Sequence, residues 1–170
     1  MKKITLILSA LTLSFSAHAM DTQTYRVTIT NKWNRADHQG FPRSAHFSPV
    51  VAVSHNSDFD LFPKGDRATP GFEKVAELGQ SADLVSEIRT ATRAGDVFKR
   101  QVTRNQFVNP SHQSIRKSQS FTIEVSKAHP NLSFVTMIAP SPDWVVGLSN
   151  LQLYSSRGGF SNGVSNVELF

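Results

Sequence analysis

Leu132-Ser133-Phe134-Val135-Thr136-Met137-Ile138-Ala139 runs straight into Pro140-Ser141-Pro142-Asp143-Trp144, and these two segments decide the fold. The first is nearly continuous apolar chain of strand length and reads as a central β-strand. The second is a turn stiffened by two prolines. Trp144 to Leu153 supplies the next strand. Just upstream, Phe121, Ile123 and Val125 alternate with Thr122 and Glu124, the period of a half-buried strand. Val164 to Phe170 begins one more.

The N-terminal half starts in the same way. Tyr25, Val27 and Ile29 alternate with Arg26, Thr28 and Thr30, and the polar stretch 31–42 with Gly40 and Pro42 reads as a loop. Ser48-Pro49 turns into Val50-Val51-Ala52-Val53, a short buried strand. Polar turns follow at His55 to Asp60 and at Pro63-Lys64-Gly65-Asp66. Phe72, Val75, Ala76 and Leu78 then fall at helical spacing after Pro70-Gly71, with Gly79 to close the helix. Ser81 is placed to cap a second helix bearing Leu84, Val85 and Ile88, ending between Arg93 and Gly95. The basic segment from Lys99 to Lys117, around the apolar island Phe107-Val108, reads as a long connection. The fold class is therefore all-β: an antiparallel sandwich with short helices inserted in a mid-chain connection.

Residues 1–19 read as a secretory signal peptide. Lys2-Lys3 precede an apolar stretch from Ile4 to about Phe15, and Ala17-His18-Ala19 offers a small-x-small cleavage site. The stretch is diluted by Thr5, Ser9, Thr12 and Ser14, too short and too polar to span a bilayer. The short basic start is of bacterial type, so a periplasmic or secreted product is expected, cleaved near Ala19. No later stretch is long and apolar enough to be a transmembrane segment, and residues 20–170 form one domain. The formal charge of +5 falls to +3 without Lys2 and Lys3, which suits an ordinary surface and does not call for nucleic acid. With no cysteine, a disulfide framework and any thiolate metal or redox site are excluded.

Few residues point to chemistry. His38, His46, His55, His112 and His129 show no His-x-x-x-His or Glu-x-x-His spacing, so zinc has no local support. His46 and His55 flank the buried strand and read as loop-fixing hydrogen bonders. Ser48 and Ser141 follow prolines without a nucleophile-elbow pattern. Asp58-Phe59-Asp60 sets two carboxylates on one side of an extended segment, a calcium-loop pattern that a solvated turn shares. Arg89, Arg93, Lys99, Arg100, Arg104, Arg116 and Lys117, with Phe98 and Phe107 nearby, make the middle basic. They read either as a solvated face or as a surface for an acidic polysaccharide or a glycolipid phosphate. Trp33 and Trp144 sit at strand-loop junctions, and Trp144 is expected to anchor the rim of the sandwich, sugar stacking being the other use of such a ring.

Three stretches carry a resemblance: Ala45-His46-Phe47-Ser48-Pro49 with Val50, Val53 and His55-Asn56; Gly71-Phe72-Glu73-Lys74-Val75-Ala76-Glu77-Leu78-Gly79; and His129-Pro130 with Leu132 to Trp144 and Val146-Gly147-Leu148. In this order they resemble the spondin domain, the N-terminal-type domain of F-spondin and mindin. The resemblance covers Tyr25 to Phe170 and implies a C2-like antiparallel β-sandwich that binds one calcium ion at its loop end and recognises an extracellular ligand. It places Asp143 among the metal ligands; taken alone, Asp143 reads as a turn aspartate bonding its own backbone. Asp58 and Asp60 are fallback ligands. The resemblance also leads us to expect a further carboxylate-bearing segment beyond Phe170, so that the C-terminal part of the domain is missing and calcium is held weakly.

The function this implies is an exported, non-catalytic binding or adhesion domain. Its partner would be a glycan, a glycolipid or a cell-surface protein. Two alternatives stand beside it: a periplasmic metal-assisted hydrolase, which needs His46, His55 and Asp143 to converge, and a structural envelope protein with no small ligand.

Overall fold

The computed structural model describes residues 21–31, 42, 44–62, 65–104 and 118–163. In chain order the elements are β1 (Thr22–Thr30), β2 (His46–Phe47), β3 (Val51–His55), α1 (Pro70–Leu78), α2 (Ala82–Ala94), β4 (Val97–Val102), β5 (Ser118–Ser126), β6 (Asn131–Ala139), β7 (Val145–Gln152), β8 (Tyr154–Ser155) and β9 (Gly159–Phe160). The expected signal segment, Trp33, His38, Phe107, His112, Arg116, Lys117 and the expected strand Val164 to Phe170 lie outside the described residues.

β6 is the central strand that its composition announces. On one side it pairs with β7, on the other with β2 and β3, and β4 extends the sheet beyond β3; every pairing is antiparallel. A separate ribbon of β1 and β5 packs across one face. Phe121, Ile123 and Val125 of the ribbon meet Phe47, Ala52, Leu132 and Phe134 of the sheet. The other face is covered by the helices, where Val75, Leu84 and Ile88 meet Val51, Val53 and Val135. The sheet is thus buried on both faces, which explains why β3 and β6 read as nearly continuous apolar runs rather than alternating ones. The ribbon faces water on its outer side, and β1 and β5 keep the alternating pattern. The all-β antiparallel sandwich is the architecture found, and the mid-chain helices form its third layer.

Local chemistry fixes the helices. Thr69 caps α1, its Oγ1 accepting from Phe72 N at 3.2 Å, and Gly79 ends the helix in the left-handed region at φ 66. Ser81 holds the N-cap position of α2, yet its side chain makes no capping hydrogen bond, contrary to the expectation from sequence. α1 and α2 touch backbone to backbone at Gly71, where an added Cβ would stand 2.6 Å from Leu84 Cα. Glu87 ties the same contact from the side, accepting from Gly71 N at 2.7 Å and from Thr69 Oγ1 at 2.6 Å.

The expected connection from Lys99 needs correction at its start. Val97 to Val102 is strand β4, entered directly from α2 through Gly95. Between β2 and β3 the ladder is interrupted at Ser48-Pro49. The Ser48 hydroxyl accepts from Met137 N at 2.9 Å, and Thr136 Oγ1 donates to the Ser48 carbonyl at 2.7 Å, so side chains stand in for the missing ladder bonds at these groups.

Candidate functional site

The antiparallel register sends the sequence's candidate residues to two opposite ends of β6. His46 pairs with Ala139 and His55 with Asn131. Those partners are eight residues apart, roughly 26 Å at about 3.3 Å per residue. Asp143 lies beyond Ala139, on the His46 side; Asp58 and Asp60 follow β3, on the His55 side. His46, His55 and Asp143 therefore do not converge, and the geometry that a metal-assisted hydrolase needs is not formed by them.

At the His55 end the polar groups satisfy one another. His55 is fully buried, with Nδ1 2.7 Å from the Asn56 carbonyl and Nε2 2.8 Å from Ser133 Oγ. A carbonyl only accepts, so Nδ1 carries the proton, and Nε2 accepts the Ser133 O–H. Ser133 Oγ in turn accepts from Asn150 N at 2.9 Å, where the chain takes φ 58 at a bulge between β6 and β7. The pair has the separation of a nucleophile and its base, but Ser133 is fully buried as well and reaches no substrate. Burial pushes the His55 imidazole below its ordinary value, opposed by its bond to Asn56 and by the charge of Asp60. Asp60 accepts from Phe62 N at 3.2 Å, Ser149 Oγ at 2.9 Å and Asn150 Nδ2 at 3.3 Å, which commits both its oxygens. Asp58 sits in an Asx turn, its N–H on Asn56 Oδ1 at 2.9 Å.

The other end is different. Residues 140–144 form the β6–β7 turn, and Ser141 pins it: its hydroxyl donates to the Ile138 carbonyl and accepts from Trp144 N at 3.1 Å. Ile138 N also donates to the Trp144 carbonyl at 2.9 Å. On this fixed turn the Asp143 carboxylate is exposed, with no hydrogen bond or ion pair among the described residues. Trp144 is 64% exposed, so the expected rim anchor instead points outward. Gly79 packs beside Met137, and Met137 pairs with Val145. Leu78, 58% exposed, therefore opens at the same end as Trp144. Among the described residues no three His, Asp or Glu side chains gather as a metal would require.

The family model described as Spondin_N matches residues 23–170. The chain belongs to the Spondin_N family. Among curated Spondin_N relatives, Spondin-1 of Homo sapiens is 32% identical over 144 residues, which is 84% of this chain and 18% of that protein. Spondin-1 of Rattus norvegicus matches with the same identity and coverage. Spondin-2 of Homo sapiens is 32% identical over 136 residues, 76% of this chain and 39% of that protein. The Spondin_N chain thus spans about a fifth of the Spondin-1 relatives and two fifths of the Spondin-2 relatives that it matches.

Proposed function

We propose that this chain is an exported, non-catalytic spondin-type binding domain whose ligand surface is the end of the sandwich built around residues 140–144. The observation that carries the proposal is the pairing of an uncommitted carboxylate, Asp143, with an outward-facing ring, Trp144, on a turn that Ser141 holds still. An aromatic face beside a carboxylate suits a sugar ring: the ring stacks and the carboxylate accepts its hydroxyls. An extracellular or envelope glycan, glycolipid or glycosylated surface protein is the partner class. The non-catalytic reading is supported by the burial of Ser133 and His55 and by the separation of His46 from His55. Export rests on the N-terminal segment Lys2 to Ala19 and on the Spondin_N membership. Among the described residues no helix is long and apolar enough to cross a membrane.

Calcium belongs to the same proposal. Calcium takes six to eight hard oxygens, and Asp143 fits the part of one such ligand because no described residue engages its carboxylate. Backbone carbonyls and water would contribute to the shell; Asp58 and Asp60, at the far end of β6, would not. The test is the thermal midpoint of the mature protein in EDTA and in millimolar calcium, for wild type and Asp143→Asn. A ligand held only by the folded state adds about 2.7 kcal/mol at a hundredfold excess over Kd. A calcium-dependent rise that Asp143→Asn removes supports the assignment. Equal midpoints in both buffers for the wild type remove calcium from the proposal.

A further inference from the structure

A second surface lies along the open edge of the sheet, away from the turn at 140–144. The basic residues of the middle segment are dispersed in sequence, but the fold sorts them. Lys99 pairs opposite Ser54 and turns toward the ribbon, where it meets Glu124 at 3.2 Å. Arg100 pairs opposite Val53, which faces the helices, so Arg100 projects on the helix-covered face of edge strand β4.

α2 lies over that strand, and α1 lies over β6. On α2 the side turned toward α1 is marked by Glu87, bonded to Gly71 and Thr69, and by Asp83, paired with Lys74. At 100° per residue Arg89 falls on the opposite flank, beyond the buried line of Leu84 and Ile88, and Arg93, one turn further on, faces solvent beside it. Arg89 therefore lies on the β4 side of the helix. α2 and β4 run antiparallel from Gly95, so Arg89 and Arg100 lie nearly level, each about 8–10 Å from the turn.

Arg93 and Arg89 are neighbours one turn apart on α2 and Arg100 lies level with Arg89 on β4, so the three make one basic row, and among the described residues no acid, side-chain hydrogen bond or ring engages any of them. All three described lysines, Lys74, Lys99 and Lys127, are by contrast held in ion pairs. The acids Glu87 on α2, Asp96 between α2 and β4, and Glu124 on β5 are committed elsewhere: Glu87 to Thr69 and Gly71, Asp96 to Asn56, and Glu124 to Lys99. A line of unneutralised guanidinium forks favours carboxylate or sulfate groups spaced along a chain.

We infer that this arginine row is a binding edge for an extended acidic polysaccharide, carrying uronate or sulfate groups. A bilayer fits less well, since the exposed apolar side chains Leu78 and Trp144 lie by β6 and β7 rather than beside the row. Nucleic acid fits less well too. Phe98, the described ring on β4, is stacked on His129 at 5.6 Å and overlain by Lys99 at 4.5 Å, leaving no platform for bases.

The experiment measures binding of the mature protein to polygalacturonate and to heparin by calorimetry at two salt concentrations. Anionic phospholipid vesicles and single-stranded DNA are the comparison probes. The Arg89→Gln, Arg93→Gln, Arg100→Gln triple variant is set against an Arg26→Gln, Arg157→Gln control, which loses exposed charge away from the row. The result expected is at least tenfold weaker polysaccharide binding in the triple variant, near wild-type binding in the control, and weakening as salt rises. Preference for polygalacturonate identifies carboxylate as the recognised group, and preference for heparin identifies sulfate. Equal binding by wild type and triple variant at an unchanged thermal midpoint overturns the inference. So does tighter binding to vesicles or to DNA. If the triple variant unfolds, the single variants Arg89→Gln and Arg93→Gln, both on the exposed side of α2, must each weaken polysaccharide binding severalfold for the inference to stand.

Discussion

His55 Nε2 accepts the hydroxyl proton of Ser133 across 2.8 Å, with both side chains wholly out of water. The same hydroxyl oxygen receives the Asn150 amide, so one serine closes the buried ends of β3, β6 and β7. Removing it strands two polar groups at once. Ser133→Ala is expected to lower the unfolding free energy by about 2–3 kcal/mol. Urea denaturation measures it; a loss within about 0.5 kcal/mol, the size of an ordinary surface substitution, would show that the network contributes little.

The buried imidazole also sets a pH dependence. Its pKa in the folded chain lies below the ordinary value of 6.5, so the unfolded chain binds more protons in between. The stability that neutral His55 contributes is complete above pH 6.5 and is lost as pH falls toward the folded value. Unfolding free energy should therefore decline on acidification through this window. His55→Gln, lacking the proton site, should decline less steeply. Parallel slopes in the two proteins would contradict the assignment.

Gly71 has no room for a side chain, since the atoms that a methyl would meet are the backbone of Leu84 and the Glu87 carboxyl carbon. The backbone of α2 cannot swing aside as a side chain tip can. Gly71→Ala is expected to cost about 3 kcal/mol, the upper end of ordinary overpacking. The midpoint of thermal unfolding reports it, with Gly65→Ala, where space is open but φ is +88, as a comparison governed by backbone strain alone.

Trp144 and Asp143 should behave in the opposite way. Both are exposed and neither anchors the core, so Trp144→Ala and Asp143→Asn are expected to move stability in calcium-free buffer by no more than about 0.5 kcal/mol. A large loss from Trp144→Ala in EDTA would return the ring to the structural role that its strand-loop position suggests.

The strands with strong internal signals were legible. β1 and β5 alternate because one side of the ribbon meets water, and β6 is continuous because neither of its faces does. α1 could be read from Pro70, its apolar spacing and Gly79. β4 was not legible, and the reason is its place at the edge. Only Val97 and Val102 pack against the helices, while Lys99 answers Glu124 and Arg100 overhangs the rim, so no apolar period survives. Trp144 departs from the expected rim anchor because Ser141 and the Ile138 backbone make the bonds that hold the turn, and the ring is left mostly exposed. The row of arginines was visible only as scattered charge. Its alignment depends on α2 and β4 running antiparallel from Gly95, a relation that residue spacing does not carry.

β6 is paired along both edges and covered on both faces. Its amides can therefore exchange with solvent only when the whole domain opens, and they become the slowest clock in the molecule. The turn at 140–144 grows directly from that strand. Its tip is carried on the least yielding part of the chain, so a partner meeting Asp143 and Trp144 encounters a surface already set before contact and spends little on ordering it.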